Sequence, residues 1–116
     1  MNARSLLDDL SREGWTFRYD EQTGQIVPSK PADVTDAEVF RVRGAIREQR
    51  EAVVLELQAD ALTGAMLDYH GGLVALVEAT DAGDRTAFED AYDRGDLDGM
   101  RGAFSRLMRD RKRDVA

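Results

Sequence analysis

Gly14-Trp15-Thr16-Phe17-Arg18-Tyr19-Asp20-Glu21-Gln22-Thr23-Gly24-Gln25-Ile26-Val27-Pro28 is the stretch on which the fold turns. Trp15, Phe17 and Tyr19 alternate with polar residues, which is the period of a half-buried strand. Glu21-Gln22-Thr23-Gly24 reads as a turn with glycine at its last position. Gln25-Ile26-Val27 returns as a second strand. Pro28, which has no N–H for a ladder, is expected to end it. A lone hairpin is marginal in water, so flanking helices must cover one of its faces.

Working outward, Arg4 to Glu13 reads as a short helix with Leu6, Leu7 and Leu10 on one face. Ser5 is the expected N-cap, and Gly14 stands where a left-handed residue closes a helix. On the other side, Thr35-Asp36-Ala37-Glu38 is a capping box that starts a helix carrying Val39, Val42 and Ile46, then Val53, Val54 and Leu57. Gly44 lies within it, and a bend or short break is expected somewhere in 43–50. The remainder, 58–116, reads as three helices. Gly71-Gly72 interrupts the first, and Gly83-Asp84 and Gly95-Asp96 each offer a glycine to end one helix and an aspartate to cap the next. The expected fold class is α+β and mostly helical: a small α-β-β-α-α unit at 1–57 with a β-hairpin, followed by an all-helical segment at 58–116.

The 116-residue chain is 34% charged with a net charge of −7, and the charge is uneven. Residues 1–57 hold 8 basic and 11 acidic groups, residues 58–100 hold 2 and 10, and residues 101–116 hold 6 and 2. Phosphate backbones are repelled by such a protein, so nucleic acid is not an expected partner. The basic end (Arg101, Arg106, Arg109, Arg111, Lys112, Arg113) fits a helix C-terminus whose cations face the dipole. The longest fully apolar run, Leu73 to Val77, is far short of the ~20 residues that span a bilayer. The start, Met1-Asn2-Ala3-Arg4-Ser5 followed by Asp8 and Asp9, does not read as a signal peptide. Cysteine is absent, which excludes disulfides, thiolate metal sites and cysteine nucleophiles and fits a reducing compartment. The expected location is cytoplasmic.

Chemistry finds little to work with. His70 is the one histidine, and it cannot build the usual zinc shell without cysteine partners. His70-Gly71-Gly72 is unaccompanied by a G-x-S-x-G nucleophile elbow. Asp93, Asp96 and Asp98 fail the calcium-loop register, because Arg94 would fall at the first ligand position and no glutamate closes the loop. Gly99-x-x-Gly102 lacks the spacing and preceding strand of a phosphate loop. The expectation is a protein that is not an enzyme, with no catalytic residue, cofactor or metal.

The hairpin suggests binding instead. An unpaired strand edge is a template for an added peptide strand. The candidate partner-binding residues are Gln25, Ile26 and Val27 along that edge, with Arg18 and Lys30 as the basic residues nearest the hairpin. They favour an extended acidic tail of another protein.

Leu6-Leu7-x-x-Leu10, Gly14-Trp15-x-Phe17, Gly24-Gln25-Ile26-x-Pro28, Val34-Thr35 and Ile46-Arg-Glu-Gln-Arg50-Glu-Ala-Val53-Val54-x-x-Leu57 together give residues 5–57 a pattern that resembles the N-terminal docking domains of the tubulysin-synthase type. Those stand at the start of some hybrid peptide–polyketide synthetase subunits. The resemblance implies an α-β-β-α-α unit that homodimerises and captures the C-terminal tail of a partner along its hairpin edge. It covers just under half the chain, and the downstream segment is helical where the family setting has a synthetase module. The leading expectation is a docking or adaptor module. The alternative is a small acidic regulator or inhibitor, of the kind carried by mobile elements, in which residues 58–100 mimic a phosphate track and occupy a basic surface of a nucleic-acid-handling protein.

Overall fold

The computed structural model describes residues 2–109. Its elements are α1 (Ala3–Arg12), β1 (Thr16–Asp20), β2 (Gln25–Ser29), α2 (Asp36–Glu48), α3 (Arg50–His70), α4 (Leu73–Ala79), α5 (Ala82–Asp93) and α6 (Leu97–Leu107). The fold is mostly helical α+β. The chain divides into two compact units, Met1–Leu57 and Gln58–Ala116, and the division falls inside α3.

In the first unit, α1 is capped by Asn2, whose Oδ1 accepts from the Ser5 backbone N–H at 2.8 Å. Ser5 is therefore inside the helix and not its cap. Asparagine caps as well as serine does, and the earlier start adds Ala3 to the buried face of Leu6, Leu7 and Leu10. The helix ends in a Schellman motif. The Gly14 N–H donates to Ser11 O at 3.0 Å and the Trp15 N–H to Leu10 O at 2.9 Å, with Gly14 at φ 97°. A Cβ there would meet Pro31 Cβ at 3.0 Å, so both the backbone and the space call for glycine. This reversal delivers Trp15, only 2% exposed, into a core with Leu10, Val42, Ile46 and Val53. Phe17 stacks parallel on its ring at 6.0 Å.

β1 and β2 pair antiparallel in the register Thr16↔Ser29, Phe17↔Pro28, Arg18↔Val27, Tyr19↔Ile26 and Asp20↔Gln25. Pro28 therefore does not end β2, which continues to Ser29. In a two-stranded sheet each strand has one partner, so a residue whose missing N–H would point to the free side costs the ladder nothing. A proline fits opposite Phe17 only if that pair is a non-hydrogen-bonded one. The antiparallel alternation then puts the ladder bonds at Arg18/Val27 and Asp20/Gln25.

Thr35 caps α2, its Oγ1 accepting from the Glu38 N–H at 3.2 Å. The break expected within 43–50 falls at Gln49 (φ −118°, ψ 27°), while Gly44 stays within α2. Arg4 reaches across from α1 to α3, with Nε and Nη2 donating to Glu56 Oε2 at 3.1 and 2.8 Å.

The second unit holds the rest of α3 with α4, α5 and α6. Gly71 and Gly72, both at positive φ, end α3 with their N–H groups on Leu67 O at 2.9 Å. The expected Gly83-Asp84 turn is absent. Asp81 is the N-cap residue of α5, and Gly83 and Asp84 lie in its first turn. An aspartate near a helix start suits the dipole as well inside the first turn as at the cap, and Asp84 accepts from Arg106 Nε of α6 at 2.9 Å. Gly95-Asp96 does form a turn. The Gly95 N–H donates to Tyr92 O and the Asp96 N–H to Ala91 O, after which Asp96 Oδ1 accepts from the Gly99 N–H at 2.9 Å. α5 and α6 thus form an antiparallel pair burying Phe88, Ala91, Met100, Ala103 and Leu107. His70 Nε2 lies 2.6 Å from Leu107 O, so the ring carries its proton on Nε2 and closes α3 onto α6. Of the basic end, Arg111, Lys112 and Arg113 lie outside the described residues.

Candidate functional site

Sequence dictates the walls of a groove in the first unit. On the hairpin side, alternation turns Phe17 and Ile26 toward the helices, and both pack against the core. On the helix side, Val39, Val42 and Ile46 recur at three- and four-residue spacing and face back. Between them lies a cavity of about 550 Å³, floored by these residues with Trp15 and Pro28. That volume is within the range of pockets that hold a ligand, ~300–1,000 Å³.

Its rim is cationic. Lys30, Arg43, Arg47 and Arg50 line it together with Gln25, and among the described residues no carboxylate does. Arg43, Arg47 and Arg50 follow one another at i, i+4 and i+7, which is why they share a side although Gln49 separates α2 from α3. Arg50 is engaged: its guanidinium donates to Gly24 O and ties the hairpin turn to the start of α3. Lys30, Arg43 and Arg47 are exposed, and none has an ion-pair partner among the described residues. Three free cations over an apolar floor attract an anionic ligand with apolar side chains. Among the described residues no His/Cys/Asp/Glu group could hold a metal ion, and no helix is long and apolar enough to cross a membrane.

Of the residues singled out in the sequence, Gln25, Ile26 and Lys30 line this groove. Arg18 and Val27 do not. They are cross-strand partners and therefore share one side of the hairpin, the side opposite Phe17 and Ile26. Val27 also belongs to a ladder pair, so its N–H faces β1 and not the free edge. Arg43 and Arg47 were missed by sequence reasoning. Their signal was the i, i+4 stripe, hidden because residues 1–57 are net acidic as a whole.

Comparison with protein-family models, with curated proteins and with solved structures finds no match to this chain.

Proposed function

We propose that the protein is a non-enzymatic docking or adaptor module whose first unit binds an extended acidic segment of another protein. The observation that carries this reading is the groove along β2, with an apolar floor and a rim of Lys30, Arg43, Arg47 and Arg50 that includes no carboxylate among the described residues. β2 supplies Gln25, Ile26 and Pro28 to the lining, and β1 supplies Phe17. A peptide laid there would set apolar side chains on the half-buried Phe17, Ile26 and Val39 and carboxylates on the rim. It would also lie beside the outer edge of β2, where the proline argument leaves Ile26 as the residue with an N–H to offer. Strand addition at such an edge gives affinity through the main chain and specificity through alternate side chains. The resemblance to docking domains of the tubulysin-synthase type supports the same reading.

A homodimer, as the resemblance implies, is part of the proposal, although a single chain buries Trp15 by itself. Trp15 is the one tryptophan and lines the groove, so it serves as the reporter. Titrating the full chain with a synthetic peptide of alternating valine and glutamate should shift the Trp15 emission saturably, and the affinity should fall as salt rises. A peptide of alternating valine and lysine should leave the emission unchanged. Equal responses to both peptides would refute the reading.

A further inference from the structure

The second unit carries an apolar face that its own core does not use. α4 buries Leu76 and Ala79 and leaves Leu73 66%, Val74 72% and Val77 45% exposed. Tyr69, 43% exposed, lies in the last turn of α3, just before the Gly71-Gly72 break that leads into α4. Leu73, Val74 and Val77 stand at i, i+1 and i+4 and so share one side of α4, unlike the singly scattered apolar residues of an ordinary surface.

What surrounds the patch selects its occupant. Residues 58–93 contain eight carboxylates against a single guanidinium, Arg85. Arg85 is half-buried and bound to backbone, its Nη1 donating to Val77 O at 3.0 Å and to Thr80 O and Oγ1 at 2.8 Å. It closes the carbonyl end of α4, and its hydrogen bonds are taken up there. Glu78 lies one turn beyond Val74 on α4, exposed and without an ion-pair partner among the described residues. Asp68 directly precedes Tyr69 and is likewise exposed and unpaired among them. A second copy would bring like charge to like charge, and an anionic lipid surface would be repelled.

From this charge complementarity we infer that the Tyr69–Leu73–Val74–Val77 face docks a cationic amphipathic helix of a partner protein, apolar side inward and lysines or arginines over Glu78 and Asp68. The surface is separate from the groove in the first unit and opposite to it in charge. An adaptor with both would join an acidic segment to a basic one.

The test uses the full chain and a fluorescein-labelled helical peptide of leucine and lysine, about 18 residues or five turns long, followed by anisotropy. The intact protein should bind it. A scrambled peptide of the same composition, and the double variant Leu73→Ser/Val74→Ser, should each bind about tenfold more weakly. Any binding of a leucine–glutamate peptide belongs to the groove of the first unit and should be unaffected by Leu73→Ser/Val74→Ser. Arg43→Gln/Arg47→Gln, which neutralises the groove's rim without inverting it, should leave this affinity unchanged, which separates the inference from the groove reading. Glu78→Lys changes an exposed residue and guards against a misfolded double variant. It should weaken binding about threefold at low salt and not at high salt. Wild-type affinity in folded Leu73→Ser/Val74→Ser, or an equal response to the scrambled peptide, would overturn the inference. So would sedimentation showing self-association that the double variant abolishes, or binding of anionic vesicles that it abolishes, because each would assign the face to a different occupant.

Discussion

The first unit holds its core through one residue drawn from a turn, and the second holds its core through two helices joined by a turn. In residues 1–57 the Schellman motif at Gly14 places Trp15 where α1, the hairpin and α2 meet, and Phe17 stacks on it. In residues 58–107 the burial is spread along α5 and α6, with Met100, Ala103 and Leu107 each at 1% exposure or less. A core centred on one large ring is vulnerable at that ring. A core of smaller side chains along paired helices is vulnerable to anything that changes how closely the helices approach. The same contrast extends to the surfaces: a cationic rim around an apolar groove in one unit, and an acidic rim around an apolar face in the other.

The largest expected effect tests the first half of that contrast. Trp15→Ala should cost about 3–5 kcal/mol, enough to melt the first unit. Amide exchange should show protection lost across Ala3–Ile46 while α5 and α6 keep theirs. Uniform loss in both units would break the distinction. Met100→Ala should do the reverse, at about 2–5 kcal/mol, with protection lost in α5 and α6 first.

Two glycines of α6 sharpen the second half. An added Cβ at Gly99 collides with the Asp96 carboxylate that caps the helix and comes within 3.1 Å of Ala91 Cβ on α5. Gly99→Ala should therefore lower stability by about 1–3 kcal/mol, through overpacking and loss of the cap. At Gly102 the nearest atom is Arg106 Nη1 at 3.8 Å. Gly102→Ala should raise stability by about 0.5–1 kcal/mol, the ordinary helix preference of alanine. Thermal melts of the two variants should move in opposite directions, and a shift in the same direction would show that the α5–α6 contact is looser than described. Gly44→Ala in α2, with open space around it, should give a similar small gain, which separates helix preference from packing between helices.

Much of this architecture was written in local signals. The alternation at Trp15–Tyr19, the turn ending at Gly24 and the Thr35 capping box are decided by neighbours in sequence, and the hairpin and α2 follow from them. The misses share one cause, a local rule with more than one solution. Pro28 can end a strand or sit on its free side, and only the two-stranded sheet decides which. Asn2 and Ser5 are both good caps, and the burial of Ala3 decides between them. Gly83-Asp84 and Gly95-Asp96 look alike, but Asp81 had already started α5. Half of the candidate site was legible, as Gln25, Ile26 and Lys30 follow the hairpin. Arg43 and Arg47 belong to it because α2 lies along β2, a tertiary fact that no local spacing states. The exposure of Leu73, Val74 and Val77 is of the same kind, since Leu73 to Val77 reads as core until the packing of α4 is known.

The most direct test of the central claim exchanges the charge of the groove. Arg43→Glu/Arg47→Glu removes two exposed, unpaired cations and leaves the floor of Trp15, Val42 and Ile46 untouched. Trp15 emission should be followed as the folded variant and the wild type are titrated with the valine–glutamate and valine–lysine peptides at low and high salt. The variant should lose at least about tenfold in affinity for the acidic peptide and gain measurable affinity for the basic one, with both changes shrinking at high salt. An unchanged affinity for the acidic peptide would contradict the account and exclude the groove as the site where the protein meets its partner.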